Sequence, residues 1–258
     1  MLLATAAAAA VLAAADGVPS PEDPRINVGG VVNAASSLPA PDNYVSPGAI
    51  ISIYGTGLSN VTQAVTVADL VGGALPKTLS GVQVSVGGLN APLFFVSPLQ
   101  INAQMPGETQ LQPGMWPLTV RLVDLESSVQ VEVRAYSPGL FSVARHADGT
   151  LVSRDAPGRP GEFLLFFGTG FGPTVPSFFA GQLAPPGPTW MVSFVQAAIG
   201  GIPLPPGGIY YSGLCPSFAG LYQFNLQIPP AAPSGDLEVR VQVAGKWSQP
   251  GVRIPVAP

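Results

Sequence analysis

The residues that could carry out catalysis are few in this chain. It has one histidine, His146, and one cysteine, Cys215, and it contains no Gly-x-Ser-x-Gly sequence that would present a serine nucleophile. A hydrolytic triad requires a nucleophile, a base and an orienting acid, and a zinc site requires several suitably spaced ligands. His146, beside the turn Asp148-Gly149, is therefore interpreted as a solvated residue, and Cys215 as a small buried one. We predict no catalytic residue and no enzymatic activity.

Two other groups of residues are of a type that binds ligands. The carboxylates of Asp148, Asp155 and Glu162 are of the type that calcium prefers, but their spacing matches no known calcium loop. Residues 168–172 (Gly-Thr-Gly-Phe-Gly) resemble a phosphate-binding loop, yet Pro173 follows where such a loop requires the N-terminus of a helix. We expect no cofactor and no metal ligand, while calcium binding stays an open alternative.

Aromatic side chains have the greatest potential for binding. When they are exposed, they stack on sugar rings or anchor a protein partner. Trp116, Trp190 and Trp247 lie near the ends of predicted strands. The candidate binding surface comprises Trp190, Tyr210, Tyr211, Phe218 and Tyr222. The alternative is that the tyrosines and Phe218 fill a small core beneath an inserted loop, and solvent exposure distinguishes the two.

One predicted strand occurs twice in the chain, and the other predicted elements are arranged around its two copies. Residues 100–106 (QINAQMP) and 223–229 (QFNLQIP) place Gln, Asn and Gln at alternate positions and end in proline. Alternation of this kind indicates a β-strand whose two faces meet different surroundings. The polar residues of this structural motif are Asn102, Gln104, Asn225 and Gln227. We predict that the two asparagines face into their domains and bond backbone groups of a neighbouring loop.

Further landmarks recur in the same order. An apolar strand enters Gly-Thr-Gly at Gly55 and again at Gly168, and a Gly-Gly pair at residues 87–88 recurs at residues 200–201. The second copy is longer, with residues 210–222 predicted as an inserted loop. Ordered landmarks separated by one insertion indicate the duplication of a whole domain.

The fold class predicted from these patterns is all-β, with two tandem immunoglobulin-like β-sandwich domains. The first copy shows about seven short strands bounded by turn residues and no convincing helix, and the second copy repeats its landmarks. The 30 prolines and 31 glycines separate these strands. The predicted domains are residues 28–137 and 138–258, preceded by a signal-like apolar segment at residues 1–15 and a Pro-rich leader at residues 16–27.

Composition limits the partners. Hydrophobic residues make up 47% of the chain and charged residues only 9%, with a net charge of −4. This leaves no basic patch for nucleic acid. Residues 1–15 end in small residues, as a signal peptide does, and they are too short to span a bilayer as a helix. We expect a secreted or cell-surface protein with no membrane span in the mature chain.

Five motifs together resemble a known family. In chain order they occupy residues 33–36, 47–58, 96–106, 138–141 and 211–225. The set is similar to the Solibacter-type uncharacterised C-terminal domain family of acidobacteria, itself similar to IPT/TIG immunoglobulin-like domains. The resemblance implies a secreted or surface location and supplies no activity.

Three functional hypotheses follow. The first is a non-catalytic structural or adhesion protein that associates with itself, a surface glycan or a surface protein. The second is a carbohydrate-binding module, which requires exposed aromatic side chains. The third is a subunit of an extracellular filament, in which the apolar N-terminal segment adds a strand to a neighbour.

Overall fold

The computed structural model describes residues 23–107 and 110–258. The signal-like segment and most of the Pro-rich leader therefore lie outside the described residues. Within the described residues there is no α-helix, and the only helical elements are two short 3-10 turns, Val67–Asp69 and Pro206–Gly208. None of the helices in this part of the chain has the length and apolar character needed to cross a membrane.

The first half of the chain forms two antiparallel sheets. One has the strand order β1-β2-β7-β6-β3 and the other β5-β4-β8-β9. These strands are β1 (Arg25–Asn33), β2 (Ile50–Thr56), β3 (Gln63–Ala64), β4 (Val82–Val86), β5 (Leu89–Ala91), β6 (Leu93–Val96), β7 (Gln100–Gln104), β8 (Gly114–Leu122) and β9 (Leu125–Val133).

The second half forms two further sheets. One has the order β10-β11-β17-β16-β13-β12 and the other β15-β14-β18-β19, with β20 also paired to β18. Their strands are β10 (Gly139–Arg145), β11 (Phe163–Thr169), β12 (Thr174–Val175), β13 (Trp190–Met191), β14 (Val195–Ile199), β15 (Ile202–Pro203), β16 (Ile209–Leu214), β17 (Tyr222–Gln227), β18 (Gly235–Val243), β19 (Lys246–Trp247) and β20 (Arg253–Val256).

Each pair of sheets encloses its own core. Ile51 of one sheet and Val84 of the other belong to the first core, and Phe224 and Val239, from the two sheets of the second sandwich, belong to the second. The two cores share no residue. The predicted architecture of two tandem immunoglobulin-like β-sandwiches is confirmed. The boundary at residues 137 and 138 lies in the segment between the cores and stays a prediction.

The repeated glycines occupy equivalent positions in the two sandwiches. A Cβ atom on Gly55 would come within 2.1 Å of the carbonyl oxygen of Arg25, and one on Gly168 within 2.4 Å of the carbonyl oxygen of Gly139. In both cases the neighbouring strand of the sheet approaches too closely for a side chain. The order β1-β2-β7-β6 likewise corresponds to β10-β11-β17-β16.

The asparagine side chains of the repeated strand do not form the hydrogen bonds to loop backbone that were predicted for them. The Oδ1 atom of Asn102 accepts hydrogen bonds from Ser52 Oγ at 3.0 Å and Gln100 Nε2 at 2.9 Å. In the second copy, Asn225 Oδ1 accepts one from Gln223 Nε2 at 2.8 Å. Asn102 is buried, as predicted, but Asn225 is only half-buried. The asparagine oxygens thus bond neighbouring side chains instead of a loop.

The glutamines of the repeated strand make the backbone bonds that were expected of the asparagines. Gln104 Nε2 donates to the carbonyl of Gly48 at 3.0 Å, and Gln227 Nε2 donates to the carbonyl of Gly161 at 2.9 Å. Both glycines belong to the Pro-Gly turn that precedes β2 or β11. The longer glutamine side chain reaches this turn from the end of the strand.

The two sandwiches meet at a joint formed by Asn33, Ile50, Ser137, Thr169 and Gly220. The hydroxyl of Thr169, which is fully buried, accepts from the backbone N–H of Ile50 and donates to the carbonyl of Gly220, both at 2.8 Å. Asn33 Nδ2 donates to the carbonyl of Ser137 at 2.7 Å. Asn33 Nδ2 also lies 3.5 Å from the carbonyl oxygen of Thr169, so Thr169 is bonded from the first sandwich both at its hydroxyl and at its backbone.

A second contact comes from the connection between β12 and β13, which crosses to the first sandwich. The backbone N–H of Gly181 donates to Gln104 Oε1 at 2.6 Å, and its carbonyl accepts from the N–H of Leu75 at 2.9 Å. Gly181 has φ of 89°, and a Cβ atom there would lie 2.8 Å from Pro92. Glycine adopts this positive φ without strain and has no Cβ atom to collide with Pro92.

Residues 210–222 are not a loop, which corrects that part of the prediction. Their first residues belong to β16 and Tyr222 begins β17, so only residues 215–221 form the connection. Cys215 and Leu221 pack with Phe167 in a small third core, against which Phe218 lies. The insertion therefore lengthens a hairpin whose end packs beside the joint.

Candidate binding groove

The second sandwich carries an open groove with a volume of about 650 Å³. Its lining comes from residues 191–197, from the turn after β15, from β16 and from Trp247 of β19. It therefore lies where the two sheets of the second sandwich meet at one side.

The groove exists because the chain changes sheets between β13 and β14. β13 is held to β16 by a single pair, Trp190 with Gly213, whereas β14 pairs with β18 in the other sheet. Residues 192–194 belong to neither strand, although the N–H of Val192 still donates to the carbonyl of Pro173 at 3.0 Å. Phe194 is consequently 74% exposed, and Val192 is also exposed.

Trp247 of β19 also lines the groove, and its ring contacts Arg240. The guanidinium carbon of Arg240 lies 5.6 Å from the centre of the Trp247 ring. Arg240 Nε and Nη2 also donate to the carbonyl of Ser248 at 3.1 and 2.5 Å. An arginine that stacks on an aromatic face while its own hydrogen bonds are made fixes the ring orientation.

The polar groups of the groove are uncharged. Ser193, Gln196 and Ser212 lie in the lining, and no residue in that lining carries a titratable side chain. The hydroxyls of Ser193 and Tyr136 are 2.9 Å apart, which anchors the crossing segment to the sandwich. The groove thus combines apolar and aromatic surface with amide and hydroxyl groups.

The five predicted aromatic residues do not form one surface. Tyr210 is 74% exposed and packs edge-on against Phe163, with ring centres 6.0 Å apart. Trp190 is 48% exposed, with its ring centre 5.0 Å from that of Tyr211. These two can reach a ligand, but neither lines the groove.

The other three lie in the interior or at its edge. Tyr211 and Tyr222 are buried, which corrects their assignment to an exposed surface. Tyr211 Oη donates to the carbonyl of Leu214 at 2.7 Å, and Tyr222 Oη donates to the carbonyl of Gly172. Phe218 is half-buried beside the third core. Tyr222 belongs to the main core of the second sandwich, and only Phe218 packs against a small separate core as the alternative interpretation held.

Phe194 was missed by the sequence analysis, although a signal for it exists. Val192 and Phe194 alternate with Ser193 and Val195, so a strand through these residues would place the first two on one side and Val195 on the other. The structure follows this division, with Val192 and Phe194 exposed and Val195 buried. Which of the two sides faces the core is not encoded in the alternation.

His146 is not a solvated turn residue, which corrects the prediction. Its Nδ1 lies 2.6 Å from Glu162 Oε1, and its Nε2 lies 3.1 Å from the carbonyl oxygen of Ala156. The hydrogen bond with Glu162 raises the pKa of His146 above its ordinary value, with burial acting in the opposite direction. Glu162 Oε2 also accepts from the backbone N–H of Arg159 at 2.9 Å.

We expect the His146–Glu162 pair to make stability depend on pH. Because the pKa of His146 is raised in the folded protein, its stabilisation is fully present below the unfolded pKa of about 6.5 and is lost as pH rises through the folded value. Glu162→Gln should therefore cost about 0.5–1 kcal/mol more near pH 6 than near pH 9. Urea unfolding across this range measures the difference. Glu126→Gln, at an exposed ion pair with Arg121, is the control, and a pH-independent cost would contradict the prediction.

Cys215 is confirmed as a small buried residue. Burial raises the pKa of its thiol to about 11, and its Sγ lies 3.5 Å from Gln223 Oε1. Since the thiolate is the reactive form of cysteine, this side chain is not an activated nucleophile at neutral pH.

Two of the three acidic residues considered for calcium, Asp148 and Glu162, form hydrogen bonds with other protein groups. Asp148 Oδ1 accepts from the N–H and hydroxyl of Thr150 at 2.9 and 2.7 Å, and the carboxylate of Glu162 bonds His146. Within residues 23–107 and 110–258, no group of three or more His, Cys, Asp or Glu is arranged to hold a metal ion.

No family model and no curated protein matches this chain. Among solved structures, the plexin A4 extracellular region is 14% identical with a TM-score of 0.30, covering 93% of this chain and 16% of its own. SGBP-B of the Bacteroides ovatus mixed-linkage glucan utilization locus, solved with a mixed-linkage heptasaccharide, is 12% identical with a TM-score of 0.37, covering 93% and 47%. The titin Ig tandem A164–A165 is 10% identical with a TM-score of 0.20, covering 83% and 89%.

The chain spans less than half the length of the plexin and SGBP-B chains that it matches. These similarities concern the immunoglobulin-like fold alone. Membership of the Solibacter-type family, which no family model supports, stays a prediction.

Proposed function

We propose that this chain is a non-catalytic, secreted or surface-exposed binding protein that attaches to its ligand through the groove of the second sandwich. The observation that carries this proposal is the exposure of Phe194 and Val192 beside Trp247 in one open groove. Exposed apolar side chains gathered in a depression are characteristic of interaction sites. An adhesive role requires such a surface and does not require reactive groups.

The chemistry of the groove supports binding over turnover. General acid–base catalysis requires a titratable group within hydrogen-bond reach of the substrate, and the lining residues carry none. His146 is held by Glu162 and Ala156, while Cys215 is a buried thiol with a raised pKa. A ligand seated against Phe194 would therefore meet surfaces and hydrogen-bonding groups.

The joint supports a mechanical role for the first sandwich. Hydrogen bonds from Ile50 and Asn33 to Thr169, and from Gly181 to Gln104, connect the two units at separate places. A tandem fixed at several points transmits force as one body, whereas a flexible linker would let the units reorient. The first sandwich thus serves as a rigid support that holds the groove away from the point of attachment.

The strand-addition hypothesis has less support. The strand β9 is an edge of its sheet, but Val45 already occupies part of that edge. The N–H of Val45 donates to the carbonyl of Glu132 at 3.0 Å, and its carbonyl accepts from Arg134 at 2.9 Å. Occupied backbone groups are not free to pair with an added strand. The N-terminal segment that would be donated lies outside the described residues.

Fragment screening by NMR tests the binding function without assuming a ligand. ¹⁵N-labelled protein is titrated with mixtures of small saccharides, short peptides and lipid headgroup analogues. We expect at least one class to shift the amide signals of Phe194, Gln196 and Trp247, to lose this effect in Phe194→Ala, and to be recovered chemically unchanged. Phe179→Ala is the matched control, since Phe179 is 77% exposed and lies outside the groove.

Two outcomes would contradict the proposed function. If no fragment class shifts the groove signals, the groove is not a binding site. If a bound fragment is converted to a product, the protein is an enzyme. Tyr210→Ala separates the groove from the surface predicted by sequence, because Tyr210 is as exposed as Phe194 but does not line the groove.

A further inference from the structure

We infer that the groove takes a segment of an uncharged polysaccharide, with sugar rings against Phe194 and Trp247 and sugar hydroxyls bonded to Gln196 and Ser212. This inference deepens the proposed function and rests on it. Four properties of the groove lead to it: its charge, its mixture of groups, its size and its rigidity.

The first property is charge. The lining includes no titratable side chain, so an anionic or cationic ligand would lose hydration without gaining a counter-charge. The arginine next to Trp247 is already engaged, because Arg240 bonds the carbonyl of Ser248 and stacks on the tryptophan ring. The net charge of the chain, −4, also opposes a polyanion. Charge complementarity therefore favours a neutral ligand.

The second property is the mixture of groups. A sugar ring presents an apolar C–H face and a rim of hydroxyls, which matches aromatic rings beside amide and hydroxyl side chains. A lipid chain would cover Gln196 and Ser212 without bonding them, and buried polar groups left unpaired are costly. Phe194 and Trp247 come from separate elements of the lining, so stacking at two points is available to a ligand with repeated rings.

The third property is size. A volume of about 650 Å³ lies within the range of about 300–1,000 Å³ that is typical of small-ligand sites. The groove is bordered by exposed residues such as Val192 and Phe194, so it is open to solvent. Such a site accommodates a short stretch of a chain that continues beyond it, which suits a polymer better than a free monosaccharide.

The fourth property is the rigidity of its supports. Ser193 is held by Tyr136, and Trp247 is held by Arg240. Preformed aromatic surfaces lose little conformational entropy when a ligand binds. Phe194 itself is exposed and lines the same groove as Ser193 and Trp247, so its removal should affect binding without affecting the fold.

A glycan array followed by calorimetry tests the inference. The probes are neutral polysaccharides (hydroxyethylcellulose, xylan, mannan, dextran) and acidic ones (polygalacturonate, alginate). We expect at least one neutral polymer to bind and no acidic polymer to bind more tightly. Phe194→Ala and Trp247→Ala should each weaken binding by tenfold or more, Gln196→Ala by a few fold, and Phe194→Tyr should retain it. Phe179→Ala should have no effect.

The outcomes separate this inference from the proposed function. If no polysaccharide binds while peptide or lipid fragments shift the groove signals, the glycan assignment is wrong and the binding function stands. If acidic polymers bind more tightly, the argument from charge is wrong. If glycans bind equally well to wild-type protein and to Phe194→Ala, they bind elsewhere. If no probe of any class binds in either experiment, both proposals fall.

Discussion

Replacement of Thr169 by valine is expected to lower the free energy of unfolding by about 2–4 kcal/mol, because it removes a fully buried hydroxyl that is used twice. The N–H of Ile50 donates to this hydroxyl, and the hydroxyl donates to the carbonyl of Gly220, both at 2.8 Å. Valine has nearly the same shape and no polar group, so both backbone groups would lose this partner. Each buried group without a partner costs about 1–3 kcal/mol.

Thr189→Val is the matched control for this experiment. Thr189 is also fully buried, but its hydroxyl has no hydrogen-bond partner among the described residues. The same substitution should therefore be neutral or stabilising there. Urea unfolding followed by circular dichroism measures both variants. Equal losses at the two sites would show that the hydroxyl of Thr169 contributes nothing specific to the joint.

Replacement of Gly170 by alanine is expected to cost about 3 kcal/mol or more, through backbone strain combined with a steric clash. Gly170 has φ of 82°, and a Cβ atom there would lie 2.2 Å from the carbonyl oxygen of Ser137. That carbonyl accepts the hydrogen bond of Asn33 at 2.7 Å, so relief of the clash would disturb the joint. We expect a lower midpoint of urea unfolding and faster proteolysis between the two sandwiches.

Gly149→Ala isolates the contribution of strain from that of the clash. Gly149 has φ of 88°, nearly the same as Gly170, but a Cβ atom there would have open space around it. Its substitution should cost about 1 kcal/mol, from the positive φ alone. If Gly149→Ala and Gly170→Ala lose the same stability, the close approach at the joint is absent in solution.

These two residues give a physical role to sequence motifs that have no evident chemistry. Thr169 and Gly170 belong to the Gly-Thr-Gly motif of the second copy, and Gly220 belongs to its lengthened hairpin. In the first copy, Asn33 opens the Asn-Ala-Ala-Ser motif and Gln104 ends the repeated strand. The structure brings these positions together between the sandwiches. A substantial part of the recognisable sequence therefore specifies how the two units are joined.

The sequence by itself determined the class of fold and the duplication. Strand alternation and turn residues are local properties, since a strand such as Val82–Val86 buries every second residue whatever its partner. The glycines at 55 and 168 also follow from local patterns. Each ends a similar apolar run, and each proves to lie where a neighbouring strand leaves no room for a Cβ atom.

Only the tertiary structure decided which residues meet. Phe194 and Trp247 lie far apart in the chain and come together because one segment changes sheets while a hairpin turns beside it. Tyr210 and Tyr211 are adjacent, yet Tyr210 is exposed and Tyr211 is buried. The register of β16 against β17 shifts between Ile209 and Tyr211, which leaves Tyr210 outside the ladder. The His146–Glu162 pair and the joint at Thr169 likewise depend on long-range packing. A local pattern specifies the two faces of a strand, but only the packing of the whole chain decides which face is covered and by what.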